Sequence, residues 1–182
     1  MNTAFQQYKK KYEPRPPNLK YKKNEDEVTQ CEYCVWDGNG EFIEFSSLAV
    51  ALSEMDGKEI PKPERLLWVV TSDIRCAHEH SEMAKKFTRK YLSHTNITGG
   101  EQAYSGGQLA FLKQADSEEH AIVLDGRSSR YMPRNQKELK EVAEAFAGTG
   151  YDVHSLGWDD EINEPSILYR SNTIEIIRKP GE

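Results

Sequence analysis

Hydrophobic residues change their spacing several times along the chain, and each change predicts a different element. Residues 28–36 and 41–45 form two short runs, each with several apolar residues, on either side of the segment DGNG at 37–40. Asp-Gly and Asn-Gly favour tight turns because glycine adopts positive φ without steric cost, so the two runs predict a β-hairpin. Leu66–Val70 is a continuous apolar run, which is typical of a strand buried on both faces.

Three other segments, at about 47–55, 78–92 and 135–147, place apolar residues three and four positions apart. This spacing predicts helices that each bury one face. Asn135 and Glu138 form an approximate capping box at the start of the third helix. The apolar stripes of the three helices are Leu48, Ala51, Leu52 and Met55; Met83, Ala84, Phe87, Tyr91 and Leu92; and Leu139, Val142, Ala143 and Phe146.

The remaining apolar runs are short and predict strands, the last two forming a closing hairpin or two edge strands. Residues 96–107 are rich in Gly, Ser and Asn, which predicts a surface loop. The predicted order is β-β-α-β-α-β-β-α-β-β, a mixed sheet with about three packed helices in one α/β or α+β domain over 28–182. The short runs lie at 109–112, 121–124, 151–156, 167–169 and 174–177.

Charge is distributed unevenly along the 182 residues, whose net charge is −6. Residues 1–23 hold seven basic residues and one acidic residue, whereas residues 24–182 hold 17 basic and 29 acidic residues. Pro14, Pro16 and Pro17 prevent a long helix near the N-terminus. The sequence therefore predicts a flexible basic arm over 1–27, attached to an acidic body.

The arm is a candidate contact for nucleic acid or a protein partner, since lysines attract phosphates and interleaved tyrosines can stack on unpaired bases. This pattern predicts a small accessory or regulatory protein that acts on nucleic acid or on a protein that handles nucleic acid. A solvated tail is the simpler alternative. The basic residues of the arm are Lys9, Lys10, Lys11, Arg15, Lys20, Lys22 and Lys23.

Membrane and secretory functions are not indicated by the sequence. No apolar stretch approaches the roughly 20 residues that cross a bilayer, and the N-terminus has no apolar segment typical of a secretory signal. Three cysteines do not make a disulfide framework. The expectation is a cytoplasmic protein with reduced thiols and no membrane partner.

Acidic side chains follow three of the predicted strands. LLWVV is followed by Asp73, AIVL by Asp125, and YDVHSL by Asp159 and Asp160. Ligands of open α/β sheets bind beyond the carboxyl ends of the strands, so these carboxylates form a candidate catalytic cluster if the strands are parallel neighbours. Such a cluster could bind Mg²⁺ or supply an acid and a base.

Arginines and serines accompany these carboxylates and form the candidate substrate-binding set. The paired N–H groups of arginine suit a phosphate, and serine adds a hydroxyl donor. The second function predicted is therefore a small enzyme that acts on a nucleotide or phosphorylated substrate at the strand ends. Ordinary turns also favour Asp, Gly and Ser, which is the alternative explanation. The set consists of Arg75, Arg127, Ser128, Ser129 and Arg130.

The segment VVTSDIRCAHEHSEMAKKF at 69–87, followed by DGRSS at 125–129, a helix and a further strand, resembles the nucleoside deoxyribosyltransferase-like group. The resemblance implies an α/β sheet, a nucleoside or nucleotide substrate and a glutamate nucleophile on a helix, for which Glu138 is the candidate. The glycine-rich nucleotide loop of that group is missing after the first strand.

Cysteine and histidine residues form a candidate zinc site. Cys31 and Cys34 make a CxxC pair, and Cys76 and His78 follow the LLWVV run. Three thiolates and an imidazole can bind zinc. The CxxC pair lies on a predicted strand, where residues three apart point to opposite faces, so the backbone must bend for both sulfurs to reach one ion. Alternatively, the cysteines are small buried hydrophobic residues.

Overall fold

A mixed β-sheet forms the centre of the fold in a computed structural model that describes residues 3–19, 33–36, 42–45, 47–87 and 89–181. The strands are β1 (Cys34–Val35), β2 (Phe42–Phe45), β3 (Leu66–Val70), β4 (Ile74–His78), β5 (Ser105–Gln114), β6 (His120–Asp125), β7 (Asp152–Ser155), β8 (Trp158–Asp159), β9 (Glu164–Pro165) and β10 (Glu175–Ile177). The strand order is β1-β4-β3-β5-β6-β7-β10, and β2 pairs in parallel with the second half of β5. Strands β8 and β9 form a separate hairpin.

Helices pack on both faces of this sheet, which confirms the predicted class. At the start of the helix Gln136–Ala147, the side chain of Asn135 accepts a hydrogen bond of 2.9 Å from the Glu138 N–H, as the capping pattern predicts. Among the described residues no helix combines the length and apolar character that crossing a membrane requires. The α-helices are α1 (Thr3–Lys11), α2 (Leu48–Glu54), α3 (His94–Thr98) and α4 (Gln136–Ala147), and 3₁₀ turns cover Lys62–Glu64 and Met83–Lys86.

One face of the sheet, the closed face, is covered by α1 and α4. Phe5 and Phe146 meet there edge to face with their ring centroids 5.0 Å apart, and Phe146 also contacts Trp68. These large side chains bury one continuous cluster, and apolar burial of this kind is the main stabilising term in a fold. The strand residues in the cluster include Trp68, Val70, Ile74, Leu109, Phe111, Ile122, Leu124 and Val153.

The opposite face, the cleft face, carries two separate clusters. One packs Leu67 and Val69 of β3 against Ile97 of α3 and against Tyr131. The other packs Ala110, Leu112 and Val123 of β5 and β6 against Met55, Ile60 and Tyr169. Because the two clusters do not merge, the sheet surface between them is left partly open.

The predicted first hairpin is wrong. Strand β1 pairs antiparallel with β4, where Cys34 lies opposite Cys76, and β2 pairs in parallel with β5, where Phe42 lies opposite Phe111. The turn residues 37–40 lie outside the described residues. Each strand finds a longer partner elsewhere in the sheet, and long-range pairing of this kind is not visible in a local turn signal.

The predicted helix over 78–92 is also wrong. Its first residue, His78, ends β4, which forms a hairpin with β3, and only Met83–Lys86 forms a helical turn. Phe87 has extended backbone angles and Lys90 has φ of 58°, so a helix cannot continue through them. Ala84, Phe87 and Leu92 are still buried, as their apolar character predicts.

The predicted glycine-rich loop at 96–107 contains ordered structure instead. Helix α3 ends at Gly99, whose φ of 67° suits glycine, and β5 begins at Ser105. Gly106 and Gly107 therefore lie inside a buried strand. At the other end of the chain, residues 167–169 form no strand, whereas Glu175–Ile177 pairs with β7 as one of the predicted edge strands.

The described part of the predicted arm is packed on the body, so the expectation of a flexible arm is wrong for residues 3–19. Phe5 is 0% and Tyr8 is 2% exposed, and both belong to the closed-face cluster. Beyond α1, Arg15 pairs with Ala103 through two backbone hydrogen bonds of 2.9 and 3.0 Å. Lys20, Lys22 and Lys23 lie outside the described residues.

Candidate functional site

The segment 126–130, called the β6 loop below, leaves the sheet at the carboxyl end of β6. Its backbone is fixed by two buried side chains. Asp125 Oδ1 accepts hydrogen bonds from the N–H groups of Arg127 and Gln108, at 2.8 and 3.0 Å. Ser128 Oγ accepts from the N–H groups of Arg130 and Tyr131, at 3.3 and 2.9 Å. The loop therefore has a defined shape before any ligand binds.

A cavity of about 610 Å³, called the first cavity, opens beside the β6 loop. Three arginines line it, namely Arg15, Arg127 and Arg130, and Arg130 donates a 2.8 Å hydrogen bond to the Asn18 carbonyl. Ser128 and Ser129 also line the cavity. The opposite wall comes from the β8–β9 region and contributes Asp159, Ile162, Glu164, Pro165, Ser166 and Ile167.

A second cavity of about 440 Å³, called the cleft, lies on the cleft face. Leu67 of β3 and Gln108 of β5 line it from the sheet, and Arg127, Ser128 and Ser129 line it from the β6 loop. The cleft and the first cavity therefore share these three loop residues. The other lining residues are Glu59, Lys62, Arg65, Glu79, His80, Tyr91, Leu92, Ser93 and His94.

Two glycines of β5 let neighbouring groups approach the sheet closely, Gly107 on the closed face and Gly106 on the cleft face. A Cβ atom on Gly107 would lie 2.1 Å from the Asp125 carbonyl oxygen and 2.7 Å from the Trp68 ring. A Cβ atom on Gly106 would lie 2.9 Å from the His94 ring. Only glycine fits at these positions, because real side-chain carbons do not approach other atoms so closely.

Asp125 is a buried carboxyl group next to the floor of the cleft. Burial raises its pKa to about 7, while the backbone N–H groups of Arg127 and Gln108 oppose that rise. The charged side chains of Arg127 and Arg65 also oppose it. A carboxyl group that titrates near neutral pH can accept or supply a proton under physiological conditions.

His94 lines the cleft and is held neutral. Burial lowers its pKa to about 4, so at neutral pH Nε2–H donates to the Gly107 carbonyl at 2.9 Å. The Cδ2–Nε2 edge of the ring faces Gly106 and Gly107. Nδ1 is the ring atom opposite that edge, and in this tautomer it carries the free lone pair.

Arg65 is a buried cation in the wall of the cleft. Its guanidinium donates to the Ile60 carbonyl, with Nε at 3.1 Å, and it pairs with Glu79 at 3.2 Å and Glu59 at 3.3 Å. Glu59 also pairs with Arg127 at 3.0 Å. Arg65 and Arg127 are therefore both paired with glutamates, and among the described residues Arg127 is tied to the wall through one exposed pair, which is a weak contact.

The predicted carboxylate cluster does not form. Strands β3 and β6 run in the same direction but are separated by β5, so Asp73 and Asp125 are not at the ends of neighbouring strands. Asp73 lies in the β3–β4 turn, Asp159 lines the first cavity, and Asp160 is exposed in the β8–β9 turn. Among the described residues no group of three His, Cys, Asp or Glu side chains is arranged to hold a metal ion.

The predicted substrate-binding residues divide into two groups. Arg127, Ser128, Ser129 and Arg130 lie together in the β6 loop and line the first cavity. Arg75 is elsewhere, buried on β4 under the Tyr33 ring, whose centroid is 4.5 Å from the guanidinium carbon. The Arg75 guanidinium lies near the carbonyl of Ile97, and Arg75 lines neither cavity.

Three of the four predicted zinc ligands are described, and they do not form a metal site by themselves. Cys34 and Cys76 lie opposite each other, and both thiols are free. Burial raises the pKa of the Cys76 thiol, which disfavours the thiolate that binds zinc. His78 ends β4, and Cys31 lies outside the described residues.

The described arm residues contact the body rather than extend from it. Lys9 donates to the Ser72 carbonyl at 2.6 Å, and Lys11 pairs with Glu141 at 3.1 Å. Arg15 donates to the Met132 carbonyl and lines the first cavity. Lys10 is exposed.

Glu138, the nucleophile implied by the resemblance, is fully buried at the start of α4 and lines neither cavity. It accepts hydrogen bonds from Tyr8 at 2.9 Å and from the Arg134 guanidinium at 2.6 Å. No protein-family model, curated protein or solved structure matches the chain. The resemblance to the nucleoside deoxyribosyltransferase-like group is therefore without support from these comparisons.

Sequence reasoning missed His94, Gln108 and Arg65. His94 and Gln108 flank the segment that was predicted to be a loop, so neither was expected beside a strand end. Arg65 precedes the LLWVV run and has no neighbour in sequence that signals burial. The available signal was the GGQ triplet at 106–108, since glycines followed by a polar residue within a strand suggest a close approach.

Proposed function

We propose that this protein binds a phosphorylated small molecule at the end of β6, with the phosphate held by the β6 loop. The observation that carries the proposal is that two cavities meet at Arg127, Ser128 and Ser129. Ligand sites commonly measure about 300–1,000 Å³, and both cavities fall within that range. The carboxyl end of a sheet strand is also the usual location of a ligand site in α/β folds.

The chemistry of the first cavity supports an anionic ligand. Three arginines line the cavity opposite the β8–β9 wall, and guanidinium groups bind phosphate through paired N–H donors. The Arg127 side chain is 45% exposed and, among the described residues, its ion pair is with Glu59, so a phosphate can replace that weak partner. Asp125 fixes the backbone of the loop and reduces the ordering that binding requires.

Catalysis on that ligand stays a prediction. Asp125, whose pKa is raised to about 7 by burial, lies under the loop, and neutral His94 lines the adjoining cleft. The pKa of Asp125 suits proton transfer near neutral pH, whereas neutral His94 suits accepting a hydrogen bond from the ligand at Nδ1. The accessory role through the basic arm also stays a prediction, and the internal contacts of Lys9 and Lys11 weaken it.

Calorimetric titration with ribose 5-phosphate tests the proposal. The protein should bind it, and Arg127→Gln should weaken binding about 10-fold or more, because a hydrogen bond to a charged group is lost. Lys140→Gln is the charge-matched control, since Lys140 is exposed on α4 over the closed face.

Two results would contradict phosphate binding by the loop. One is no detectable binding of ribose 5-phosphate, and the other is equal binding by the Arg127→Gln variant. A short single-stranded oligonucleotide is titrated in parallel. Oligonucleotide binding that survives Arg127→Gln would favour the accessory role of the arm instead.

A further inference from the structure

The Gln108 side chain is a buried amide that faces the cleft. Gln108 is 6% exposed and lies on the same face of β5 as Gly106 and Ala110, next to the opening between the two clusters. Its backbone N–H donates to Asp125 and its carbonyl accepts from Trp68. Among the described residues no hydrogen bond is made by its side-chain amide. Because Gln108 lines the cleft, a ligand bound there can reach this amide and form hydrogen bonds with it.

A primary amide presents one donor and one acceptor side by side. The edges of nucleobases carry the same pairing of donors and acceptors, and an amide side chain can bind such an edge with two hydrogen bonds. A phosphate oxygen only accepts and so uses one of the two groups, and a sugar hydroxyl donates and accepts through a single atom rather than through two groups side by side. The chemistry of the cleft floor therefore favours a flat heteroaromatic ring over the rest of a nucleotide.

An aromatic side chain stands at the rim of the same cleft. Tyr91 lines the cleft and is 44% exposed, and its ring centroid lies 6.3 Å from that of His80, which also lines the cleft. Exposed aromatic rings bind bases by stacking, whichever base is present. Gln108 thus supplies edge recognition and Tyr91 supplies a surface for the face of the ring.

One carboxylate oxygen connects this floor to the phosphate loop. Asp125 Oδ1 lies 3.0 Å from the Gln108 N and 2.8 Å from the Arg127 N. The β6 loop also forms one side of the cleft. A ligand whose phosphate contacts Arg127 can therefore extend across the loop into the cleft.

We propose that the cleft is the nucleobase subsite of a nucleotide, with the Gln108 amide bonded to the edge of the base and the Tyr91 ring packed on its face. This inference rests on the proposed function, because the phosphate of the same ligand occupies the β6 loop. It narrows the ligand class from any phosphorylated small molecule to nucleotides. Asp125 acts as a positioning residue for both ends of the ligand.

The test compares four nucleoside 5′-monophosphates, the matching nucleosides and ribose 5-phosphate by calorimetric titration. At least one nucleotide should bind about 10-fold or more tightly than ribose 5-phosphate, since two hydrogen bonds and stacking are added. Gln108→Met should bring that nucleotide to within about threefold of ribose 5-phosphate and leave ribose 5-phosphate binding unchanged. Gln114→Met, on the same strand outside the cleft, is the matched control.

Tyr91→Ala provides a second variant at an exposed position, where a folding defect is not expected, and should weaken nucleotide binding about 10-fold. Equal binding of ribose 5-phosphate and all four nucleotides would overturn the base subsite while the phosphate site stands. Absence of binding by every phosphorylated probe would overturn the proposed function. If nucleosides still bind and the binding depends on Gln108, the base subsite stands without the phosphate site. If nucleosides do not bind either, the phosphate site and the base subsite are both overturned.

Discussion

The two faces of the central sheet are covered by helices to different extents, although the same strands form both faces. On the closed face, α1 and α4 have 9 and 12 residues, and they seal one continuous cluster. On the cleft face, α2 and α3 have 7 and 5 residues and anchor two separate clusters. A helix rises about 1.5 Å per residue, so the short helices cannot cover the strands between the clusters. The gap they leave is the cleft.

Two buried carboxylates show what this difference means for chemistry. Glu138, between α4 and the sheet on the closed face, is bonded to Tyr8 and Arg134 and is part of the packing. Asp125, on the cleft face, accepts backbone N–H groups, and burial raises its pKa to about 7. A buried carboxylate with a cation in contact is a structural group, whereas one beside a cavity without such contact is available for proton transfer.

The largest effect on stability is expected from removing a buried ring where α1 packs on the closed face. Phe5→Ala removes a fully buried ring that contacts Phe146, and it should lower the free energy of unfolding by about 3–5 kcal/mol. Urea denaturation measures this change. The prediction applies to a residue within the segment that the sequence predicts to be flexible.

Val50→Ala is the control for the Phe5 variant, because Val50 is exposed on α2, and it should change stability by less than about 0.5 kcal/mol. If Phe5→Ala were as mild as this control, α1 would not be packed on the sheet in solution. The closed face would then be open as well, and the contrast between the two faces would fail.

A second prediction concerns the pH dependence of stability on the cleft face. The pKa of Asp125 is raised by burial from 3.8 to about 7, so its contribution to stability is present at low pH and is lost as pH rises through that window. The pKa of His94 is lowered by burial from 6.5 to about 4, so its contribution is present above 6.5 and is lost as pH falls. The two contributions have opposite slopes and partly cancel.

Replacing each residue alone should reveal its contribution to the slope of the unfolding free energy against pH. Asp125→Asn should make the unfolding free energy rise more steeply with pH between about 4 and 7, and His94→Gln should make it fall more steeply, each by at most about 1.4 kcal/mol per pH unit. Urea denaturation at half-unit pH steps measures the difference from the unaltered protein. Ser129→Ala, which titrates nothing, is the control. Parallel curves for Asp125→Asn and the unaltered protein would show that Asp125 has an ordinary pKa.

Local patterns predicted the elements that are stabilised by neighbours in sequence. The apolar run of β3 and the capped stripe of α4 were both identified correctly. The helix predicted at 78–92 failed because its apolar residues are buried by loops, and burial can be satisfied without a helical backbone. Helix α1 was missed because its partners are distant in sequence: Phe5 and Tyr8 are buried in the closed-face cluster, whereas the lysines that follow them suggest a solvated arm.

The candidate site was likewise predictable only where its residues adjoin an element that the local pattern reveals. Arg127 and Ser129 were identified because they directly follow a recognisable strand. Gln108 and His94 were not, because they reach the cleft only when β5 pairs beside β6 and α3 packs over Gly106. Spacing in the sequence carries no information about such packing, so the cleft residues Gln108 and His94 could be identified only from the structure.

The smallest predicted effect returns to the carboxylate of the closed face. The Tyr8 hydroxyl lies 2.9 Å from Glu138 Oε1 and 2.7 Å from Ser105 Oγ, and burial raises its pKa so that it stays a donor. Tyr8→Phe should therefore lower the free energy of unfolding by about 1–3 kcal/mol, since Glu138 keeps its burial but loses a donor. Tyr104→Phe is the matched control, because no hydrogen bond of its hydroxyl is found among the described residues. Equal stability of the two variants in urea would mean that Arg134 alone satisfies Glu138, and that the closed face tolerates a lost hydrogen bond without cost.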